Sequence, residues 1–524
     1  MGNKVGAILL DTRSIQRYVF GCNELKTNVG ASYLVDAIYT EAMQNVLKAQ
    51  DFKKLVLDWK ENTDLQMLQD KKVDCEVGYI GGGKMLILVR NYGQSFQLCK
   101  KIVTEWSTEL LLKAPGLKTG VAIGRIDLDN FNDTFSELFQ KLNNNESKLF
   151  PNVDMPYTGL TLECDSSGKT ADFLDSNGRM ISTEVAAKIK AHKYVIAKNS
   201  EQFNEVLQNN YEFAKDISNI GFKDGESYIC VIHIDGNNMG VKFNSCNDLK
   251  ERRELSLNIA GAVNSSLQKL VKKIVDEYED YIDLLDVEKL LSDNKPNLPL
   301  RPIIIGGDDI TFVCPGRVGL QYASYFMKKM AKIEIINNRI FKELQGKLGK
   351  SANKTMTCCA GVAIVPAKYP FFRAYQLAEQ LCSTAKLKSR EVDGYYLDFA
   401  ILHGEMYADL DTLRKEQYVV PCGGLHYGPY DVVNSKSANS FDKLLQLKEA
   451  LMELPSNKLK DLRAVLHEDI HSQYIFMENC KEFDAVLAIL GHNKRANKEC
   501  LWENVGDKKI TRLMDAIEII DYTY

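Results

Sequence analysis

The feature that most constrains this sequence is an internal repeat of strand-like segments. Three segments near the N-terminus recur in the same order further along the chain: residues 5–11 as 228–235, residues 77–89 as 302–313, and residues 120–123 as 361–364. Asp11 and Gly81 are 70 positions apart, and Asp235 and Gly306 are 71 positions apart. Because order, motif and spacing agree, the chain is expected to contain two copies of one structural unit. We call residues 1–128 the first copy and residues 226–400 the second copy.

Long helical patterns separate the strand-like segments in each copy. Apolar residues recur at helical spacing over residues 31–49 and 94–112 of the first copy, and over residues 251–278 and 318–344 of the second. Each copy therefore has the order strand, helix, strand, glycine turn, strand, helix, strand, which is the βαββαβ ferredoxin-like unit. The predicted fold class is α+β, with two such units.

The rest of the chain is predicted to form two further regions. Residues 129–225 are expected to be a linker followed by a small module between the copies, because residues 129–160 are rich in asparagine and favour a loop. Residues 401–524 are expected to form a mostly helical domain, since leucine and alanine recur at helical spacing from Asp442 onward.

Composition limits the kind of protein that this chain can be. Its 524 residues include 66 lysines and arginines against 70 aspartates and glutamates, so binding of nucleic acid by bulk charge is not expected. No stretch approaches the roughly eighteen apolar residues of a membrane span, and the N-terminus lacks the pattern of a signal peptide. The prediction is a cytoplasmic globular protein without a membrane partner.

The 13 cysteines are predicted to be reduced and buried. No two of them form a C-x-x-C pair, and Cys230, Cys314, Cys358 and Cys359 lie within apolar runs. A free thiol in such a run behaves as a small hydrophobic residue of the core.

The strongest chemical signal is an acidic glycine turn in the second copy. Gly306, Gly307, Asp308 and Asp309 follow one another at a predicted hairpin, and Asp235 ends the first strand of that copy. In a βαββαβ sheet these segments are neighbours, so the three carboxylates are expected to face one another. Mg²⁺ or Mn²⁺ would offset their repulsion and clamp the attacking and leaving oxygens of a phosphoryl transfer. The alternative interpretation is an aspartate-rich turn that binds no metal.

In combination, these motifs resemble those of a known family. Residues 235–240 (DGNNMG), 306–309 (GGDD), 361–364 (GVAI) and 369–379 (YPFFRAYQLAE) are similar to the large polymerase-palm subunit of type III CRISPR effector complexes, Csm and Cmr. Residues 11–20, residues 29–32 and the glycine hairpin of the first copy resemble the first palm of that family. The resemblance covers about residues 1–400, whereas GGDD alone is shared with other palm polymerases and nucleotide cyclases.

The resemblance implies an enzyme of antiviral defence that converts ATP to cyclic oligoadenylate second messengers, with two nucleotides held between the palms. The 3′-hydroxyl of one ATP would attack the α-phosphate of the other and release pyrophosphate. By position, Asp235, Asp308 and Asp309 would be catalytic and would bind the metal ions. The implied nucleotide-binding residues are Gly81, Gly82 and Gly83 beside the second nucleotide, together with Gly236, Asn237, Gly306, Gly307 and Lys386. Partner subunits and guide or target RNA would gate the activity within the complex.

Two implied residues have competing interpretations. A lysine at the position of Lys386 would contact the triphosphate, but a lysine near a helix end is also favoured by the helix dipole. Asp11 could approach the second nucleotide or cap the turn at Ser14, and capping is slightly favoured. Where the second copy has two aspartates, the first copy has Gly83 and Lys84. The first copy is therefore expected to bind without catalysing.

The sequence departs from the family in two respects. Many members begin with an HD nuclease domain, but here the first palm strand starts at Val5 and no His-Asp pair occurs, so DNA cleavage is not expected. The four-cysteine zinc ribbon of the family is reduced to Cys164 within residues 162–171, so zinc is not expected.

Three other functions compete with the synthetase. A catalytically silent ATP-binding scaffold is opposed by the intact acidic residues. A GTP-using cyclase of the diguanylate type is less favoured, because Ile310 follows the second aspartate where that signature has phenylalanine. His467 to His471 match H-E-x-x-H, but no third-ligand pattern of zinc proteases follows, so a chance match is expected.

Overall fold

The first strand of the first copy lies inside an antiparallel sheet. The computed structural model describes residues 3–90, 92–146, 159–208, 210–217, 220–221, 227–285, 291–292, 295–491 and 500–523. The strands of the first copy are β1 (Lys4–Arg13), β2 (Leu55–Val56), β3 (Cys75–Gly81), β4 (Lys84–Val89) and β5 (Lys118–Asp127). Their order in the sheet is β2-β3-β4-β1-β5, and only β2 runs parallel to its neighbour.

The strands are connected by the helices α1 (Ile15–Phe20), α2 (Leu25–Ala37), α3 (Gln44–Lys48), α4 (Gln66–Gln69) and α5 (Tyr92–Lys113). Most of these helices pack on one face of the sheet, whereas Met67 of α4 joins the core on the other face. A π-helical turn, Ile38–Met43, joins α2 to α3, so the helix predicted over residues 31–49 is present and begins earlier. Side chains of β1 alternate between the faces, with Ile8 and Leu10 in the core shared with α2 and α5.

The opposite face is covered by a helix where the sequence predicted a loop. Helix α6 (Phe131–Glu146) presents Phe131, Phe135, Leu138 and Leu142 to the sheet face that carries Leu9. The loop prediction is therefore wrong for residues 131–146, because these apolar residues recur at helical spacing and outweigh the asparagines that surround them. Residues 147–158 of the predicted linker lie outside the described residues.

A small module lies between the copies along the chain. It contains the hairpin β6 (Phe173–Leu174) and β7 (Met180–Ile181), helices α7 (Thr183–Gln202) and α8 (Asn204–Leu207), and strand β8 (Glu212–Phe213). Helix α7 packs closely on α2. A Cβ atom on Gly30 would lie 1.9 Å from the carbonyl oxygen of Lys188, so this crossing requires glycine.

The second copy repeats the sheet of the first. Its strands are β9 (Tyr228–Gly236), β12 (Arg301–Ile305), β13 (Asp309–Pro315), β14 (Cys358–Pro366) and β15 (Tyr396–Ile401). Two further strands of this copy, β10 (Leu291–Ser292) and β11 (Lys295–Leu298), form a separate small sheet with β8. The sheet order β12-β13-β9-β14 matches β3-β4-β1-β5, and β15 adds a parallel strand at the edge. The pairing of the hairpin strands is even shifted at equivalent positions, between Val77 and Tyr79 and between Pro302 and Ile304. The two sheets confirm the predicted α+β class.

Helices cover both faces of this second sheet. They are α9 (Met239–Phe243), α10 (Leu249–Asp276), α11 (Tyr278–Leu285), α12 (Gly319–Met330), α13 (Asn338–Leu348) and α14 (Phe371–Glu391). The helix predicted over residues 318–344 is interrupted, since Ile335 and Ile336 donate backbone hydrogen bonds to Lys354 and Asn337 caps α13. Helices α10 and α12 pack on one face of the sheet and α14 on the other.

The C-terminal region is mostly helical and is joined to the second copy. Its elements are α15 (Leu410–Gln417), β16 (Val419–Val420), β17 (Gly423–Gly424), β18 (Tyr430–Asp431), α16 (Phe441–Met452), α17 (Ser456–Val465), α18 (Ile470–Asn479), α19 (Asp484–Ile489), β19 (Glu503–Val505), β20 (Lys508–Ile510) and α20 (Leu513–Glu518). Strand β18 pairs with β15 and becomes the sixth strand of the second sheet. Short 3₁₀ turns occupy Leu128–Asn130, Gly316–Val318, Gly349–Ser351, Lys481–Phe483 and Ile519–Tyr522.

A buried ion pair fixes the two copies to each other. Arg253 on α10 and Glu76 on β3 are both fully buried, and their side chains are 2.9 Å apart. The guanidinium of Arg253 also donates to the carbonyl oxygens of Gly78 (2.6 Å) and Val77 (2.8 Å). Glu76 in turn accepts the backbone N–H of Met67 at 2.7 Å. Both charges are hydrogen-bonded on several sides, which a buried ion pair needs in order to persist.

We expect Arg253→Met to lower the free energy of unfolding by about 3–5 kcal/mol, because Glu76 would remain charged and buried. Urea denaturation followed by circular dichroism measures this change. The double variant Arg253→Met/Glu76→Gln should recover part of the loss, and Arg125→Met, an exposed arginine of the same chain, serves as the control. A decrease in the free energy of unfolding below about 1 kcal/mol for Arg253→Met is typical of a surface ion pair. Such a result would contradict the view that the buried pair fixes the two copies to each other.

Candidate active site

The acidic residues of the second copy meet at the ends of two neighbouring strands. Asp235 of β9 and Asp309 of β13 are direct partners in the antiparallel pairing. The turn that joins β12 to β13 is tight, because Gly306 donates its N–H to the Asp309 carbonyl at 2.8 Å. Gly236 at the end of β9 donates to the Asp308 carbonyl at 3.1 Å. Cross-strand partners have Cβ atoms about 5 Å apart, so these carboxylates share one small region. We call Asp235, Asp308 and Asp309 the acidic site.

Gly236 is closely packed against its neighbours. A Cβ atom there would lie 2.6 Å from the methyl carbon of Met239, 2.8 Å from that of Met356 and 3.1 Å from the Cβ of Asp308. By contrast, a Cβ on Gly307 would have no other atom within 4 Å. The turn is therefore packed on its β9 side and open at its tip, where a ligand can approach the backbone.

Lys386 brings the only positive charge that pairs directly with the acidic site among the described residues. It lies on α14, and its ammonium group forms an ion pair and hydrogen bond with Oδ2 of Asp235. Burial acts against the charged lysine, but the attraction of Asp235 is larger overall and raises the pKa of Lys386. The sequence placed Lys386 near a triphosphate, whereas the structure places it directly on a carboxylate.

Nearby lysines compensate the negative charge of the neighbouring aspartates only in part. Burial and the proximity of Asp235 raise the pKa of Asp308, and the same causes raise the pKa of Asp309 well above its ordinary value. Oδ1 of Asp309 is buried and accepts no hydrogen bond, although Nδ1 of His233 lies 3.3 Å away. Burial lowers the pKa of His233 to about 4, so its imidazole is neutral at physiological pH and cannot offset the charge.

The donor chemistry of this cluster fits a hard divalent cation. Carboxylate oxygens are the ligands that Mg²⁺ and Mn²⁺ prefer, and the unpartnered Oδ1 of Asp309 is a free acceptor. Across the part of the chain that the structure describes, no three His, Cys, Asp or Glu side chains converge closely enough to form a metal-binding group. The pairing of Asp235 with Lys386 explains why the three carboxylates of the acidic site do not converge, since it draws the carboxylate of Asp235 towards α14.

A polar cluster behind the acidic site was not found by sequence reasoning. Asp393 accepts the Thr357 hydroxyl at 2.8 Å and the Asn238 amide at 3.3 Å. Lys242 is buried and donates to the Asn237 carbonyl at 2.6 Å, and burial lowers its pKa to about 8. The cluster holds the turn that follows Asp235. Asp393 and Thr357 lie far from that turn in sequence, so no local pattern of residues points to them.

The equivalent position in the first copy holds an ion pair. Asp11 of β1 and Lys84 of β4 are direct partners, and their charged atoms are 2.9 Å apart. The prediction that Asp11 caps the turn at Ser14 is wrong, because its carboxylate turns to Lys84 and Ser14 starts α1 without a side-chain cap. Gly82 and Gly83 form the turn with positive φ angles of 57° and 71°, a conformation that favours glycine. In the first copy, Lys84 therefore neutralises the charge of Asp11.

The two hairpins lie in different sheets and are brought together by packing. The ring of Phe20 on α1 stacks on Tyr375 of α14 at 3.7 Å, and Tyr375 contacts His233 edge-on at 5.5 Å. On the other side, a Cβ on Gly81 would lie 3.2 Å from the hydroxyl of Ser256 on α10. Each copy therefore supplies a helix to the other. Among the described residues, no hydrogen bond or ion pair joins Gly81, Gly82 or Gly83 directly to the acidic site.

Other sequence signals have structural explanations. All 13 cysteines are free and only Cys422 is not buried, which confirms the predicted burial. His467 and His471 do not share a helix, because α17 ends before the first and Asp469 caps α18 before the second. Residues around Cys164 form a hairpin-like turn in which its backbone N–H donates to Lys169 at 2.7 Å. Among the described helices, none has a stretch long and apolar enough to cross a lipid bilayer.

Comparison with known proteins identifies the second copy. Residues 228–392 match the family model for the second palm domain of Cas10/Cmr2, which confirms the resemblance of the second copy. No curated protein matches the sequence.

Several solved structures match this chain at low sequence identity. A Csm1-Csm4 cassette in complex with pppApApA has 12% identity and a TM-score of 0.48, and the similarity covers 99% of this chain and 70% of that one. The cassette in complex with cA4 has 13% identity and a TM-score of 0.44, with coverage of 99% and 70%. Csm1 of T. onnurineus has 12% identity and a TM-score of 0.46, with coverage of 99% and 69%.

We expect Asp309→Asn to stabilise the protein in EDTA, increasingly so as the pH rises. Folding raises the pKa of Asp309 above the ordinary 3.8, so the folded wild type loses stability from about that pH up to the raised value. The amide variant cannot ionise and therefore avoids this loss.

Thermal unfolding between pH 4 and pH 8 measures this effect, with Asp411→Asn, an exposed carboxylate on α15, as the control. An Asp309→Asn variant that is equally or less stable than the wild type at pH 8 would contradict the prediction that the charged Asp309 destabilises the folded state.

Proposed function

We propose that this chain, in which residues 228–392 match a Cas10/Cmr2 second palm domain, is a metal-dependent nucleotidyltransferase that converts ATP to cyclic oligoadenylates. The observation that carries the proposal is the direct pairing of Asp235 with Asp309 at the open tip of the second-copy hairpin. The matched domain alone identifies a palm. The paired carboxylates, with Asp308 beside them, supply the chemistry that distinguishes an active palm from an inert one.

In the proposed reaction, the 3′-hydroxyl of one ATP attacks the α-phosphate of a second. A new P–O bond forms, the bond between the α- and β-phosphates breaks, and pyrophosphate leaves. Asp235, Asp308 and Asp309 would hold Mg²⁺ or Mn²⁺, which lowers the pKa of the attacking hydroxyl and neutralises charge on the leaving pyrophosphate. Backbone groups of Gly306 and Gly307 lie at the open tip, where phosphate oxygens can reach them.

Lys386 is proposed to change partners during the cycle. In the structure it pairs with Asp235, and its flexible side chain is partly exposed. When Asp235 binds a cation, the ammonium group is free to contact the triphosphate of the same nucleotide. Gly236 and Asn237 would shape the base of this pocket, because the Asn237 amide donates to Gly394 at 2.9 Å and holds the turn in place.

The first copy is proposed to bind the second nucleotide without catalysing its transfer. Gly82 lies at the open tip of the turn formed by Gly81, Gly82 and Gly83, while Lys84 occupies the position that Asp309 has in the second copy. The family match of the second copy further supports a role within an RNA-guided antiviral complex, with partner subunits and guide or target RNA gating the activity. DNA cleavage by this chain and a zinc site are not part of the proposal.

A silent ATP-binding scaffold is the second candidate. The contact between Lys386 and Asp235 favours it, because a lysine that neutralises one carboxylate also weakens the attraction for a metal ion. The two candidates differ in whether products form, and not in whether ATP binds.

We expect the purified chain, incubated with ATP and Mg²⁺ or Mn²⁺, to form cyclic oligoadenylates that mass spectrometry detects. Asp308→Ala/Asp309→Ala should abolish product while leaving the fold intact, since these side chains destabilise the folded state when charged. Asp411→Asn is the matched control outside the site, and GTP runs in parallel.

Product from GTP alone would contradict the substrate assignment. Measurable ATP binding with no product, both alone and with effector subunits and target RNA added, would favour the scaffold.

A further inference from the structure

Arg301 is a buried charge for which the described residues supply no partner. It begins β12, at the end of the strand away from the glycine turn, and only 2% of its surface is exposed. Nε and Nη2 of its guanidinium are buried without any hydrogen-bond partner. Burial lowers the pKa of Arg301 to about 10, so the side chain is still charged at physiological pH. A buried charge needs a counter-charge and hydrogen bonds, and an unpartnered one indicates a bound ion or water molecule.

The side chain of Arg301 lies on the face of the second sheet that is turned to the first copy. Its cross-strand partner on β13 is Val313, and direct cross-strand partners share one face of a sheet. Val313 belongs to the core that contains residues of α2 and α14. Helix α2 itself packs on β12. The guanidinium is therefore enclosed where β12 meets the first copy.

His192 of α7 adds a second unpartnered nitrogen to this junction. Helix α7 crosses α2 at Gly30, where a Cβ atom would lie 3.1 Å from the backbone nitrogen of His192. Nε2 of His192 is buried without a hydrogen-bond partner. Burial, followed by the positive charge of Arg301, lowers the pKa of His192 to about 4, so its imidazole is neutral and carries one N–H. His192 as a whole is half-buried, so this end of the junction lies close to the protein surface.

The charges around Arg301 leave a positive surplus. The carboxylate of Glu212 on β8 attracts Arg301, but it is paired with Lys215 at 3.7 Å. Lys215 and Lys26 of α2 also add positive potential at His192. A water molecule can accept the N–H groups of a guanidinium, but it cannot neutralise the charge. A small anion does both, and therefore accounts better for the burial of Arg301.

We propose that Arg301 and His192 bind a small tetrahedral oxyanion, inorganic phosphate or sulfate, at the junction of β12, α2 and α7. Nε and Nη2 of Arg301 can donate to two oxygens of such an ion, because the planar guanidinium matches their spacing. The N–H of His192 can donate to a third. The enclosure of Arg301 favours a free ion over the phosphate group of a nucleotide or of RNA, which brings a bulky neighbour.

This oxyanion site is separate from the acidic site. Arg301 and Gly306 are five residues apart along an extended strand, which corresponds to about 16 Å. The oxyanion site contains no carboxylate ligand and requires no divalent cation. It is thus independent of the proposed function, and either can fail without the other.

Equilibrium dialysis of the full chain against radiolabelled phosphate in EDTA tests the proposal. We expect one phosphate ion to bind per chain in an Arg301-dependent manner, and sulfate to compete for it. Arg301→Met should weaken this binding about 10- to 100-fold, the effect of losing a charged hydrogen-bonding partner. Arg301→Lys should weaken it less, because it keeps the charge but not the planar donor pair. Arg125→Met, an exposed arginine on β5, is the matched control and should leave binding unchanged.

Thermal unfolding provides a second readout of the same site. Phosphate should raise the melting temperature of the wild type and leave that of Arg301→Met unchanged, because a ligand stabilises only the protein that binds it. In phosphate-free buffer, Arg301→Met should be at least as stable as the wild type, since it removes an unpaired buried charge. His192→Phe covers the case in which Arg301→Met does not fold, and it should weaken phosphate binding about 3- to 10-fold through the loss of one neutral donor.

Three results would overturn the proposal. The first is a wild type that binds neither phosphate nor sulfate at millimolar concentration, which would leave water as the partner of Arg301. The second is phosphate binding that Arg301→Met does not weaken, or that His192→Phe does not weaken if Arg301→Met fails to fold. The third is displacement of the bound phosphate by AMP, which would assign the ion to a nucleotide site.

Discussion

The buried pair of Arg253 and Glu76 is the contact on which the relation between the two copies depends. Arg253 belongs to the long helix that follows the first strand of the second copy, and Glu76 belongs to the strand that leads into the first-copy hairpin. Both are fully buried, so the pair persists only while α10 stays on β3. The same helix carries Ser256, whose hydroxyl lies next to Gly81 of the first-copy hairpin. On the other side, the ring of Phe20 stacks on the ring of Tyr375 and packs the first copy against α14.

One fold with two different charge patterns accounts for the asymmetry of the molecule. The strand pairing is the same in both copies, down to the shifted register in each hairpin. Within that shared frame, a single cross-strand position decides the charge. Asp309 opposite Asp235 produces repulsion and raised pKa values, whereas Lys84 opposite Asp11 produces a closed ion pair. The second copy therefore holds a charge repulsion at this position, and the first copy does not.

Sequence reasoning succeeded where the signal was local or repeated. The two βαββαβ units followed from motifs that recur in order and at equal spacing, and the pairing of Asp235 with Asp309 followed from the strand order of that unit. It failed at α6, because the many asparagines of that segment favour a loop and masked the helical spacing of Phe131, Phe135 and Leu138. It also failed for Asp11, whose partner Lys84 is adjacent only across the sheet.

The sequence by itself determined the repeat, the strands that end in aspartate and the turns that are built from glycine. It also determined that only one copy carries the acidic pair. The tertiary structure alone decided that Lys386 contacts Asp235, that Lys242 and Asp393 hold the turn beneath it, and that Arg253 reaches Glu76 of the opposite copy. The physical reason is that periodicity and turn chemistry act between near neighbours in the chain. The charge of a site depends on side chains that packing brings together from distant segments.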